Sequence, residues 1–345
     1  MNSALNIWFP TIRANSGSDI YTIRLCEALN KAGIQANITW FSHLYELAPF
    51  LMSKTKVPRK TNIIHTSSWT TFAFRQHGLP LVSTLHHNVF EQDFLPYKTH
   101  LQSLYHNLLI RPYENASLKS STHKIAVSHH TSNSYAKTYQ IKKPDVIPNW
   151  VNTDIFTPAK QKHKNQTFKL LFIGNHSLRK GSDLLKPILS KLGKGYELHT
   201  TGGLRGSNSK NSQHNEFIHH PNISNTKKLV SLYQSCDVLL FPSRLEGFGL
   251  AALEAQACGL PVIATNTSAF PEVVSNNSTG ILCPKDDIDM FVESIKELKN
   301  NPEKMNLMKL NARKHAVKNY SEEDIIQKYI SLYKKLLNPI ESELN

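Results

Sequence analysis

Residues 241–265 read FPSRLEGFGLAALEAQACGLPVIAT, and the fold follows from how this stretch must be built. The run leading into it, 237–241 (DVLLF), is short and apolar and is closed by Pro242, which predicts a buried strand. Residues 242–249 are rich in turn formers. Residues 250–258 read as a helix, stopped by Gly259 and Pro261. Residues 262–264 form the next strand. Strand, loop, helix and strand in this order predict one right-handed crossover unit of a parallel sheet.

Two carboxylates carry the chemistry of the stretch. Glu246 falls in the loop, and Glu254 falls in a helix beside Ala251, Ala252, Leu253 and Ala255. A carboxylate among small apolar side chains needs a partner, because unpaired burial is costly. Gly247, Phe248, Gly249 and Leu250 lead into the helix N-terminus, where free amides and the macrodipole attract anions. At about 1.5 Å per residue, Glu254 lies roughly 8 Å down the helix from those amides. A diphosphate on the amides would have one Glu on each side. That suits a nucleotide-sugar, with sugar hydroxyls on Glu246 and ribose hydroxyls on Glu254.

Glu246, seven intervening residues and Glu254, set in EGFGLAALEAQACGLPVIAT, closely resemble the signature of retaining glycosyltransferase family 4. The resemblance implies an α/β chain of GT-B fold, two doubly wound Rossmann-like domains with a cleft between them. It implies an acceptor-binding domain over residues 1–158, joined by a terminal helix 321–338, and a nucleotide-sugar-binding domain over 166–320.

Outward from the signature, residues 168–173 read as a strand, followed by GNHSLRKG at 174–181. Arg179 and Lys180 beside glycine at a strand-to-helix loop suit a diphosphate. Lys180 matches the family's basic residue before the second Gly. Asn175 stands where members carry Arg, Trp150 where they carry Gly, and Ala269 and Phe270 where they carry small residues. The polar stretches 160–166 and 207–215 read as a linker and a loop.

In the first half, a strand at 4–9, a loop with Gly17, a helix at 19–32 capped by Ser18 or Asp19, and a strand at 34–40 predict a second crossover. The first such loop of a doubly wound sheet lies at its ligand edge, so Gly17 is assigned to the donor. A strand at 62–65, a helix at 69–77 and a strand at 81–85 follow. His86 stands at the carboxyl end of the last, where the family places a functional His near the donor sugar and phosphate. From about residue 99 a helix is expected. It either packs on the core or touches a membrane or lipid-linked acceptor.

The chain has 345 residues, 40% of them hydrophobic, enough for two domains, and a formal net charge of +14. Such charge points to an anionic partner, yet no basic block with interleaved aromatics suggests nucleic acid. Cys26, Cys236, Cys258 and Cys283 lack the paired spacing of a zinc site or disulfide framework. No apolar run approaches the roughly 18 residues of a membrane span, and no leader pattern opens the chain. A cytoplasmic protein, with peripheral contact to an anionic membrane, is the expectation.

The resemblance then implies a retaining glycosyltransferase that takes a nucleotide-diphosphate sugar, a UDP-sugar first, and a glycan or lipid-linked acceptor. No cofactor or metal is expected, since Lys180, Arg179 and the helix N-terminus at Gly249 would stabilise the departing diphosphate. Glu246, His86 and Lys180 are the expected catalytic residues. Gly17, Arg179, Lys180, Gly247, Phe248, Gly249, Leu250 and Glu254 are the expected donor contacts. Cell-surface polysaccharide or lipopolysaccharide synthesis is the expected setting. A nucleotide-sugar epimerase of the same fold and a GDP-mannose-dependent transferase are the alternatives.

Overall fold

The computed structural model describes residues 4–160, 167–202, 217–221, 223 and 225–338. The expected linker beyond residue 160 and the polar loop 207–215 lie outside the described residues. The chain divides into two compact units, one of Met1–Asn149 with Glu322–Asn345, the other of Trp150–Ser321.

The first unit contains β1 (Asn6–Ile12), α1 (Gly17–Lys31), β2 (Gln35–Phe41), β3 (Ile63–Ser67) and β4 (Leu81–Leu85). Next come α2 (His100–Tyr105), α3 (Arg111–Ser120), β5 (His123–Ala126), α4 (His129–Tyr139) and β6 (Asp145–Val146). The six strands lie in the order β2-β1-β3-β4-β5-β6, all parallel. Ile7, Trp8 and Phe9 are all buried, as both faces of a parallel sheet must be.

Three local expectations are corrected. Ser16, not Ser18 or Asp19, stands at the α1 N-cap position. Asp19 lies inside the first turn, and its carboxylate accepts from the amides of Ala14 and Asn15, the latter at 2.8 Å. Residues 71–77 form a 3-10 helix rather than an α-helix. There the Thr71 hydroxyl donates to the Ser67 carbonyl at 2.9 Å, offering the backbone a local alternative to the helical ladder. The first part of the helix after residue 99 does not pack on the core, since Leu101 is 79% and Leu108 64% exposed, whereas Ile110 and Leu118 further along it are buried.

Helix α11 (Glu322–Leu337) belongs to the first unit and closes a buried polar network. The Tyr329 hydroxyl meets that of Tyr21 at 2.8 Å. The Tyr333 hydroxyl meets His65 Nδ1 at 2.6 Å, and His65 Nε2 meets the Thr84 hydroxyl at 2.6 Å. Burial, with His86 and His123 nearby, pushes the His65 pKa down to about 3. A His held neutral in the fold stabilises fully above its ordinary pKa of about 6.5 and loses this as pH falls. Below pH 6.5 the unfolded chain takes a proton that the fold refuses. Urea titrations of the protein should therefore show stability falling by up to about 1.4 kcal/mol per pH unit between pH 6 and 4, from His65 alone. His65→Asn should flatten that slope, and an unchanged slope would remove His65 as its source.

The second unit contains β7 (Phe168–Ile173), α5 (Ser182–Leu192), β8 (Tyr196–Thr201), β9 (Phe217–His220), α6 (Thr226–Ser235) and β10 (Val238–Phe241). It continues with α7 (Leu250–Ala257), β11 (Val262–Thr265), α8 (Phe270–Val273), β12 (Gly280–Cys283), α9 (Ile288–Asn300) and α10 (Pro302–Asn319). Its strands lie in the order β12-β11-β10-β7-β8-β9, again all parallel. Leu170, Phe172, Leu240 and Ile263 of the sheet pack with Ile188 of α5 and Phe291 and Ile295 of α9.

The division into two units falls between Asn149 and Trp150. Packing accounts for its place. Trp150 and Val151 are buried, and the Val151 amide donates to the Tyr320 carbonyl at 3.1 Å. The Arg313 guanidinium donates to the carbonyls of Thr153 at 3.0 Å and Phe156 at 2.7 Å. Polar composition marks where the chain is free of a core, whereas these contacts tie residues 150–156 to the second unit.

Candidate active site

The site of the second unit forms where the loops after β7 and β10 meet. Residues 178–180 make a short 3-10 turn whose N-cap, Ser177, accepts from the Lys180 amide at 3.3 Å. Gly181 then takes φ +66, a left-handed conformation that disfavours side chains. A Cβ there would sit 2.0 Å from the Pro242 carbonyl oxygen. Gly181 is thus what lets the cationic turn lie directly on the loop that carries Glu246.

Glu246 is 7% exposed. Its Oε1 is ion-paired with Lys180 Nζ and accepts from the Ser243 hydroxyl at 2.8 Å. Arg179 Nη1 lies 4.0 Å from the same oxygen and donates to the Leu245 carbonyl at 3.0 Å. Burial opposes ionisation of Glu246, but the charges of Lys180 and Arg179 outweigh it and hold the carboxyl below its ordinary value. Burial also pulls Lys180 below the usual ammonium range, offset in part by Glu246. Lys180 Nζ stands 5.1 Å from the Phe241 ring centroid, which gives it a second favourable contact.

Arg244 fastens this assembly. Its guanidinium grips both Asp183 oxygens at 2.8 Å and Asp286 at 2.7 Å. Its amide donates to the Arg179 carbonyl at 2.8 Å, so one residue pins the cationic turn, α5 and the loop before α9 together. The bidentate pairing holds its pKa above the ordinary value.

Gly249 precedes α7 with φ +95, and a Cβ there would press on the Phe270 ring at 3.3 Å. Phe248 is buried and packs edge-on against Tyr320 at 5.6 Å. Gly247 and Leu250 flank this turn into the helix. Glu254 is buried one turn further on, where Oε2 accepts the Tyr233 hydroxyl at 2.8 Å. Tyr233 is the partner that the apolar setting of Glu254 demanded.

Eight of the ten expected site residues thus lie in the second unit, and three of them, Glu246, Lys180 and Arg179, are in mutual contact. Gly17 and His86 lie in the first. Gly17 opens α1 with nothing within 4 Å of where a Cβ would be. The His86 ring packs edge-on to Tyr21 at 4.8 Å, and desolvation pushes its pKa down to about 4. Ser243, Arg244 and Tyr233 were missed. The sequence offered one signal, a charged Arg244 two residues before Glu246.

The comparisons agree with this architecture. The model of "Glycosyl transferases group 1" matches residues 154–315, and that of "Glycosyltransferase Family 4" matches residues 39–155. A D-inositol 3-phosphate glycosyltransferase of Paenarthrobacter aurescens (strain TC1) is 35% identical over 158 residues, 40% of this chain and 38% of that protein. The capsular polysaccharide biosynthesis glycosyltransferase CapM of Staphylococcus aureus is 30% identical over 186 residues, 52% of this chain and 49% of that protein. The matched region is thus less than half the length of either relative. The solved structure of Anabaena HepE in complex with UDP and glucose superposes with a TM-score of 0.75 at 15% identity, covering 95% of this chain and 99% of that one. With one family match ending where the other begins, and each unit built on a six-stranded parallel sheet, the chain belongs to the family 4 glycosyltransferases and has their GT-B fold.

Proposed function

We propose that the chain is a retaining glycosyltransferase that transfers a sugar from a nucleotide-diphosphate sugar, a UDP-sugar, to a glycan or lipid-linked acceptor. The observation that carries this is the buried Glu246–Lys180 pair, with Arg179 beside it and α7 next along the chain. Lys180, Arg179 and the first amides of α7 take the charge that develops on the departing diphosphate. Glu246, held ionised, orients the sugar and offsets oxocarbenium charge. Glu254, steadied by Tyr233, takes the ribose hydroxyls. His86, neutral at physiological pH, binds near the sugar and the leaving group. The leaving phosphate accepts the acceptor's proton, so no side-chain nucleophile is assigned. This positive surface supplies what a divalent cation would supply, and no resident metal is called for.

The UDP and glucose held by HepE support the donor class. CapM, named for capsular polysaccharide biosynthesis, supports a setting in surface polysaccharide synthesis. The charge of +14 supports peripheral contact with an anionic membrane from the cytoplasmic side. Among the described residues no helix is long and apolar enough to cross a membrane.

Nucleotide release from a panel of UDP- and GDP-sugars, with and without glycan acceptors, tests the reading. Turnover should require acceptor, keep the anomeric configuration by NMR, and proceed unchanged in EDTA. Sugar conversion without acceptor would assign the chain as an epimerase instead. Turnover restricted to GDP-mannose would reassign the donor, and anomeric inversion would overturn retention.

A further inference from the structure

The second unit carries a cavity of about 620 Å³ that includes none of Glu246, Lys180 or Arg179. It lies under α10, against the end of α6 and the end of α7. Its volume falls within the roughly 300–1,000 Å³ of clefts that hold ligands. The floor is apolar, with Cys236, Cys258 and Leu260. Burial pushes the Cys258 thiol up to about 12, so it stays neutral and behaves as a small apolar group. At the mouth stand Leu310 and Val317.

The rim has one sign of charge. Lys309, Arg313, Lys314 and Lys318 line the cavity, and no Asp or Glu does. Arg313 is committed to backbone carbonyls. Lys314 and Lys318 are exposed, and neither has an acidic partner among the described residues. The same helix exposes Leu307, Leu310 (69%) and Val317. Positions 307, 310, 314, 317 and 318 recur at three- and four-residue steps, so leucines and lysines share one face of α10. Apolar side chains beside lysines on one helix face match a bilayer interface, apolar below and anionic above.

We propose that this cavity seats an acyl chain of an anionic phospholipid at a membrane surface, with the headgroup phosphate on Lys314 and Lys318. Leu307, Leu310 and Val317 enter the interface around it, and α10 lies along the membrane plane. This rests on the anionic-membrane reading above and names the surface that makes the contact.

Flotation of the full chain with vesicles of phosphatidylglycerol and phosphatidylcholine, against phosphatidylcholine alone, tests it. Binding should require the anionic lipid. Lys314→Gln with Lys318→Gln should weaken it about 25-fold, at roughly five-fold per lysine. Leu310→Ser, which leaves the charge intact, should weaken it several-fold. Phosphatidylglycerol with a photoreactive acyl chain should label the peptide 302–319. All three replaced positions are exposed, so circular dichroism should be unchanged. Anionic-vesicle binding unaffected by either variant, or labelling confined to residues 100–110, would overturn this site while leaving membrane contact standing. Absence of any vesicle binding would overturn both.

Discussion

Lys180→Met is expected to lower kcat/KM by about 10²–10³-fold, the usual cost of removing one preorganised group from a developing negative charge. It should also destabilise the second unit by about 3–5 kcal/mol, because Glu246 is left buried with Ser243 and a more distant Arg179. Glu246→Gln should behave alike, stranding Lys180. The double variant separates the two roles. Replacing both members of a buried pair removes the stranded charge, so thermal denaturation should show much of the lost stability restored. Activity should stay at the level of the worse single variant, since neither the leaving group nor the sugar regains its partner. Recovery of activity along with stability would reduce the pair to a structural ion bridge and sink the proposed mechanism.

Glu114→Ala is expected to destabilise the first unit by about 3–5 kcal/mol without touching the second. Glu114 is fully buried on α3 and accepts four hydrogen bonds. Tyr135 donates at 2.5 Å, Ser68 at 2.9 Å and Trp69 Nε1 at 3.0 Å, and the Tyr139 hydroxyl completes the set. Burial pushes its pKa up in spite of these donors. Truncation would leave the donors facing a void, each paying part of its desolvation cost. Glu114→Gln keeps the volume and an acceptor oxygen and should cost about 1 kcal/mol. Chemical denaturation followed by Trp69 fluorescence would read this transition. An alanine variant within 1 kcal/mol of the parent would show that the cluster contributes little.

How much of this was legible beforehand depended on sequence distance. The β10–α7–β11 unit was readable because its cues are local: an apolar run, Gly249 and Gly259 at the helix ends, and Pro261 beyond. Gly181 was readable as a loop glycine, but its reason was not, since Pro242 stands 61 positions further along the chain. Arg244 is joined to Asp183 and Asp286 across separations of 61 and 42 residues. Tyr233 reaches Glu254 from the preceding helix, and Glu114 gathers donors from both sides of β4 and β5.

Local pattern by itself determined the parallel α/β class, the glycine punctuation and the two acids at 246 and 254. Short-range sterics and capping act within a few residues, so they are written into neighbouring letters. Strand order alone decided which cation would neutralise Glu246, which hydroxyl would hold Glu254, and where the chain passes from one unit to the other. Those pairings arise only when the sheet brings distant loops to the same edge, and the low-dielectric interior then makes each one obligatory.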